Sequence, residues 1–578
     1  MVDMNMAVNL FEDSDDSFDG NGYELEEVDR RNQETLEKLR RECENFNWEV
    51  VEERYSFFCR VVDLTIGWIY HWERYLPNIR DILRPEQIDY LLKESVINRL
   101  DHLRIQGEQF IKFALRAHYK DQPDVDEDGR PFLRRTTALH HVSANDTRPR
   151  VVLDLFDIYN RFDVNYADES GLTHFHVACQ FGCCDVAGKF LRLGQDPNLL
   201  VRETGDSPLH FAVTAEFNGR TVIESLFRKG ANPNLANVKG STALHAICKG
   251  DYNQDIVNAF FELSLEYNHQ VLIDAQDVGG NAPLHTALAY GNKRAAELLL
   301  RKGADSSLAN AEGLTPLHII CKRIKDDDLV DFFFNIHDDL HQTVRINVLD
   351  NEGMTPLKWA VVYLMPHAVD VLLDRGADMS QFTFPAGDHF YAALEDDYEF
   401  TASELLRKAS GILAVLERLE RRGYELDRSG AITITKFFAK NRLFLYPENP
   451  AQLESCWRNQ AFVRTTREIM INPNLSLYDL MQLRPEEAEN RVTYMEYFEL
   501  SCTKKLEAFP VWGYVWPCVV HLCEKLDRGF FRRWAMNTFL EFMGDRLPIL
   551  CCDMIIDHPL TNEDLGCIII AGATGQTS

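Results

Sequence analysis

A four-residue motif recurs along the chain at nearly constant spacing, and this periodicity limits the possible folds more than any other feature. It reads Thr137-Ala138-Leu139-His140, Thr173-His174-Phe175-His176, Ser207-Pro208-Leu209-His210, Thr242-Ala243-Leu244-His245, Ala282-Pro283-Leu284-His285, Thr315-Pro316-Leu317-His318 and Thr355-Pro356-Leu357-Lys358. Successive fourth positions lie 36, 34, 35, 40, 33 and 40 residues apart. The first position suits a helix N-cap, because a Ser or Thr hydroxyl accepts from a free backbone N–H. Pro208, Pro283, Pro316 and Pro356 then fall at the first helical position, where a missing N–H costs nothing and a fixed φ helps. Leu317, Ile320 and Cys321 follow at helical spacing. Gly230, Gly303 and Gly376, each in a Lys/Arg-Gly-Ala sequence, are placed to end a second helix in the left-handed conformation. A short helical unit cannot bury its apolar face alone, so neighbouring copies must stack. Leu209, Leu244, Leu284 and Leu317 are the expected core positions.

Self-similarity near 33 residues with a T-P-L-H signature resembles the ankyrin repeat. That resemblance implies an all-α fold, an ankyrin-repeat solenoid of about seven repeats over residues 131–382. The histidines stand about one repeat apart and cannot converge on one metal ion; the resemblance implies that they tie neighbouring repeats by hydrogen bonds. Lys358 departs from the pattern, as a terminal repeat would. In ankyrin proteins the turn tips and the exposed late positions of each first helix contact the client. Counted along this motif, the client-binding positions are Gln180, Phe181, Thr214, Lys249, Tyr290, Lys322, Arg323 and Tyr363. Phe181, Tyr290, Arg323 and Tyr363 are the expected anchors, since aromatics and Arg dominate binding surfaces.

The chain has 578 residues and a formal net charge of −29. That charge disfavours nucleic acid and anionic membranes as partners, because both require clustered Lys and Arg. No apolar run approaches the roughly 18 residues of a membrane span. The stretch from Met1 to Asp16 has no basic start and turns acidic, unlike a secretory signal. The expected location is therefore cytoplasmic, or nuclear, with the 14 cysteines reduced. Cys179, Cys248 and Cys321 share one first-helix position and read as core residues. Cys518, His521 and Cys523 have ligand-like spacing but no second pair, so packing is the expected role. No catalytic, phosphate-binding or dinucleotide motif is present, and the expectation is a non-enzyme without metal or cofactor.

Around the repeats, residues 1–26 read as an acidic disordered tail. Residues 27–120 form an expected helical domain that docks on the first repeat, with Ile88, Leu91, Leu92 and Ile97 on one face. Inserts near 250–278 and 323–350 should lengthen helices or loops, and Asp326-Asp327-Asp328 reads as a solvated helix start. Residues 400–480 form a helical connecting region, and 485–572 an aromatic, cysteine-rich block. In that block Leu547-Pro548 precedes an apolar helical pattern, and Thr561 with Asp564 suggests a capping box. This pattern resembles an F-box. More closely, it resembles the PRANC domain that follows ankyrin repeats in poxvirus host-range proteins and in related proteins of parasitoid wasps and intracellular bacteria. The resemblance implies that Leu547, Pro548, Ile555, Ile556, Leu560 and Leu565 bind a Skp1-type adaptor of a cullin–RING ubiquitin ligase. The alternative expectation is an ankyrin scaffold or inhibitor that masks a partner, as ankyrin inhibitors of NF-κB factors do.

Overall fold

The computed structural model describes residues 34, 36–44, 46, 54, 56–64, 78–97, 101–142, 148–250, 255–380, 382–394, 401–441, 443–444, 456–503, 505–506, 512–543, 552, 555–556 and 560–574. The chain divides into two compact units, one of residues 1–247 and 252–271, the other of 248–251 and 272–578. The division falls within the repeated region.

In the first unit, α1 (Pro85–Ile97) and α2 (Asp101–Arg116) pack on each other. α1 then lies on α3 (Ala138–His141) and α2 on α4 (Pro149–Ile158). The buried stripe of α1 is Ile88, Leu91, Leu92 and Val96; Val96, not Ile97, completes it. A polar cluster fastens the junction. Arg135 pairs with Asp89 of α1 and with Asp121 at 3.0 Å, and the Tyr166 hydroxyl donates to Asp121 at 2.7 Å. Burial pushes the Asp89 carboxyl up, and the Arg135 guanidinium opposes that shift. Stacking continues through α5 (His174–Gln180) with α6 (Cys184–Arg192) and α7 (Pro208–Ala212) with α8 (Gly219–Arg228); α9 (Ala243–Lys249) and α10 (Ile256–Glu266) follow in sequence. α5 packs on α7, and α8 packs on both α6 and α10.

In the second unit the pairs are α11 (Pro283–Tyr290) with α12 (Lys293–Arg301), α13 (Pro316–Cys321) with α14 (Leu329–Asp339), and α15 (Pro356–Val362) with α16 (Pro366–Asp374). α17 (Gly387–Leu394) and α18 (Ala402–Arg421) continue the two rows, α17 on α15 and α18 on α16. Arg418 of α18 pairs with Asp370 at 2.6 Å, and Arg422 pairs with Asp374. There follow α19 (Arg428–Lys440), α20 (Gln460–Glu468), a two-stranded antiparallel hairpin of β1 (Met470–Asn472) and β2 (Leu475–Ser476), and α21 (Leu477–Gln482). The unit ends with α22 (Pro485–Glu489), α23 (Tyr494–Cys502), α24 (Trp512–Met543) and α25 (Asn562–Thr574). α18 is its centre, packed against α16, α23 and α24. Apart from that hairpin and a few isolated bridges, the described secondary structure is helical.

The motif acts as the sequence suggests. Leu209, Leu244, Leu284 and Leu317 are each at most 1% exposed, and Cys179, Cys248 and Cys321 are buried. Gly230, Gly303 and Gly376 take the left-handed conformation. Five of the motif histidines span two levels of the stack. The backbone N–H of the motif's first residue donates to Nδ1 in His140, His176, His210, His245, His285 and His318, at 3.0–3.2 Å. Nε2 meets a carbonyl of the following turn: Tyr166 for His140, Leu199 for His176, Ser241 for His210, Leu314 for His285 and Met354 for His318, at 2.9–3.2 Å. A carbonyl only accepts, so the proton sits on Nε2 and Nδ1 accepts. Thr or Ser Oγ lies 2.8–3.1 Å from Nδ1 at five of these sites, but Ala282 has no hydroxyl to offer. Lys358 leaves Thr355 to cap its helix alone, its hydroxyl accepting from the Lys358 N–H at 3.3 Å.

The two inserts lengthen their second helices: α10 and α14 have 11 residues each, against 9 in α12 and α16. Of the Asp326–Asp328 run, Asp328 stands exposed at a helix start as expected, and Asp326 departs from that expectation. Asp326 accepts from the N–H groups of His367 and Ala368, at 2.6 and 3.1 Å, and so caps α16. Asp327 pairs with Arg323, and Asp328 with Lys293. Burial pushes the Asp326 carboxyl up to about 6, while the two N–H donors pull it down.

Two predictions follow from the motif. Ala282→Ser restores the missing hydroxyl and should raise the unfolding free energy by about 1 kcal/mol in urea denaturation. Burial pushes the His176 imidazole down to about 4. An unfolded histidine titrates near 6.5, so the stability held by neutral His176 is complete above about pH 6.5 and is lost as pH falls toward 4. Across that window His176 should remove up to about 3 kcal/mol, and His176→Gln should flatten that part of the measured stability–pH curve.

Candidate protein-binding surface

The expected client-binding residues divide into two groups. Thr214, Lys249 and Tyr290 are exposed, Tyr290 by 62%. Gln180, Phe181, Lys322, Arg323 and Tyr363 are half-buried, which corrects the expectation of open positions. In the second unit the reason is a set of contacts along the stack. The Lys322 ammonium sits 4.3 Å over the Trp359 ring and 3.7 Å from a Glu312 carboxylate oxygen. Tyr363 packs against the same Trp359. Trp359 is itself fixed, its indole N–H donating to Asp350 at 2.6 Å. Arg323 pairs with Asp327 at 3.2 Å, and its guanidinium covers Gly291, directly after Tyr290. A Cβ at Gly291 would come within 2.7 Å of that guanidinium, and the residue has a φ of +71°.

In the repeats of this unit the exposed apolar groups include Tyr290, Ile324, Leu349 and Val278, the last at a turn tip. In the first unit, Phe217 and the tip residue Val238 are 56% and 63% exposed. Motif counting missed all but Tyr290. A tip residue pointing to solvent leaves no periodic signal, and Phe217 lies in the irregular turn before α8.

At the C-terminus, Ile555 is 44% exposed and Leu560 half-buried, while Ile556 and Leu565 are fully buried. The expected stripe is thus corrected: Ile556 and Leu565 serve internal packing. α25 lies along α24 and α19 with Leu565 and Ile569 turned inward. Arg528 of α24 donates to the Leu560 carbonyl at 2.7 Å and to Asn562 at 3.1 Å. Asn562 donates to the buried Asp527 carboxylate, whose pKa burial raises well above the ordinary range. The expected capping box is formed, Thr561 donating to Asp564 at 2.6 Å and accepting from its N–H at 3.0 Å. Leu547 and Pro548 lie outside the described residues.

Cys518 and Cys523 are buried, Cys518 against the Met481 sulfur, and His521 Nε2 meets the Met481 carbonyl at 3.0 Å. Among the described residues no three His, Cys, Asp or Glu side chains converge as a metal site, and no helix is long and apolar enough to cross a membrane.

Packing and binding roles separate by mutation. Tyr290→Ala should leave stability within about 0.5 kcal/mol of the parent. Trp359→Ala should cost about 3–5 kcal/mol, because it opens a cavity and strands Asp350. Urea unfolding of both variants distinguishes an exposed contact residue from a core one.

Comparison with known proteins agrees with this architecture. Residues 209–310 and 302–383 match the model for ankyrin repeats, in three copies. A putative ankyrin repeat protein of Acanthamoeba polyphaga mimivirus is 24% identical over 201 residues, 34% of this chain and 24% of that protein. The transient receptor potential cation channel subfamily A member 1 of Homo sapiens is 28% identical over 217 residues, 37% of this chain and 18% of the channel. The SH3 and multiple ankyrin repeat domains protein 1 of Mus musculus is 31% identical over 156 residues, 27% of this chain and 7% of that protein. The matched stretches thus span about a quarter or less of these relatives. The crystal structure of the ankyrin repeat domain of Bcl-3 aligns with 37% of this chain and 91% of its own, at 22% identity and a TM-score of 0.32. Residues 209–383 of this chain are accordingly ankyrin repeats, a module that mediates protein–protein interaction.

Proposed function

We propose that the chain is an adaptor with no catalytic activity of its own. Its ankyrin repeats hold a client protein, and its C-terminal helices recruit a Skp1-type adaptor of a cullin–RING ubiquitin ligase. The observation that carries the first half is the repeat array, with exposed groups such as Tyr290 beside Arg323. The second half rests on the F-box-like and PRANC-like pattern from Leu547 to Leu565, of which Ile555 is the well-exposed apolar member within the described residues. Joining two binding sites in one chain raises the effective concentration of client near the ligase without any chemistry by the adaptor. Such a protein would act in the cytoplasm or nucleus.

A second reading has one observation in its favour. Ile556 and Leu565 are buried within the chain, as they would be if the C-terminal helices only closed the fold. In that case the protein is a scaffold or inhibitor that masks its partner.

The test is recovery of a purified Skp1-type adaptor by the parent chain, by Ile555→Arg, and by Leu547→Ala combined with Pro548→Ala. Circular dichroism first establishes that all three are folded. The adaptor reading predicts recovery by the parent and at least a tenfold loss in both variants. No recovery by the parent, or equal recovery by all three, supports the scaffold reading.

A further inference from the structure

α20 buries Phe462 and Thr466 and turns Arg464, Arg467 and Glu468 to solvent. Arg464 and Arg467 are three residues apart and share one helix face. Just before the helix, Trp457 and Arg458 lie in helical backbone, and the Asn459 side chain then caps α20, accepting from the Phe462 N–H at 3.0 Å. These five groups, with Gln460 and Val463, line an open cleft of about 550 Å³. Its aromatic wall is held in place: the Trp457 ring is 5.8 Å from Phe462 and 5.6 Å from Tyr478. The Arg467 guanidinium stacks over Tyr478 at 4.6 Å, which engages the flat face and leaves edge N–H groups for an oxyanion. Arg464 is paired to Glu468 at 3.0 Å, but both side chains are well exposed, and such a pair contributes little and is readily exchanged.

Arg464 and Arg467 against Glu468 leave an excess of positive charge on this helix face of a chain of net charge −29. The ligand is therefore an anion. Guanidinium groups held side by side favour planar oxyanions with two acceptor oxygens. A small free anion would leave most of the cleft empty and Trp457 and Val463 uncovered. Nucleic acid binds through many neutralised phosphates, and three arginines on a strongly acidic chain do not provide them. We propose that this cleft binds an acidic peptide segment of a partner protein. Carboxylates meet Arg464 and Arg467, and a neighbouring apolar side chain covers Trp457 and Val463. The site is separate from the repeats and does not depend on either reading of the C-terminus.

The experiment is fluorescence anisotropy of the full chain with a fluorescein-labelled Glu-Glu-Leu-Glu-Glu-Leu peptide. The comparison ligands are the same peptide with Gln for Glu, and a labelled 12-nucleotide single-stranded DNA. The variants are Arg464→Glu with Arg467→Glu, and Lys239→Glu as a charge control at an exposed turn tip. Both arginines are solvent-facing, so circular dichroism should match the parent. The proposal expects saturable peptide binding that weakens with salt, at least tenfold loss in the double variant, and a change within twofold for the control. It also expects at least tenfold weaker binding of the Gln peptide. It is overturned by no peptide binding to the parent, by equal binding to a folded double variant, by equal binding of the Gln peptide, or by DNA binding tighter than the peptide.

Discussion

The histidine bridge sets the register of the repeats. One ring nitrogen accepts from the N–H that opens its own first helix, and the other donates to a carbonyl of the next level. An imidazole can do both only when neutral and in one tautomer. Burial supplies that condition, since desolvation disfavours the charged ring at His140, His176 and His318. The stacked Leu, Ile and Phe side chains provide most of the stabilisation, but apolar contact is not directional and would tolerate a slipped stack. The hydrogen-bonded bridge does not tolerate it, because a slip would leave two buried polar groups without partners.

The ends of this system are closed by ionic contacts. In the first unit, Arg135 sits between Asp89 and Asp121 at the junction of α1 and the first repeat turn. In the second, Arg418 of α18 and Arg422 at its C-terminal cap hold Asp370 and Asp374 on the second helix of the last repeat. Both put a cation against aspartates, as suits an acidic chain that must limit carboxylate repulsion where helices are pressed together. Arg418 and Asp121 are shielded from water, so loss of their partners would leave a costly charge behind, whereas the exposed Arg422–Asp374 pair contributes little.

Much of this was legible in the sequence, because the repeat signal is local. Pro316 after Thr315 marks a helix start by backbone chemistry alone, Gly303 marks a helix end, and Thr561 with Asp564 spells a cap. The apolar positions follow from helical spacing. What stayed hidden depends on partners far along the chain. Lys322 occupies a position that is open on an isolated repeat, but Trp359 on the first helix of the next repeat takes it, and Tyr363 packs on the same ring. Asp326 looks like a solvent-facing acid until the N–H groups of His367 and Ala368 are brought to it. Ile556 and Leu565 lie on an apolar helical face, and nothing local says whether that face meets a partner or α24. The arginine cleft had no signature at all, because Arg458, Arg464 and Arg467 form no motif until α20 folds beside Tyr478.

The pinned aspartates bear on how such an array changes length. The step from His318 to Lys358 is 40 residues, whereas that from His285 to His318 is 33. The additional segment lengthens one helix and brings anchors of its own, Asp326 onto α16, Asp327 onto Arg323 and Asp328 onto Lys293. An insertion fastened in this way leaves the stacking interval of the helices alone. The ruler written in residues can therefore drift while the ruler written in ångströms holds, and the chain can gain new surface between levels without retuning the levels themselves.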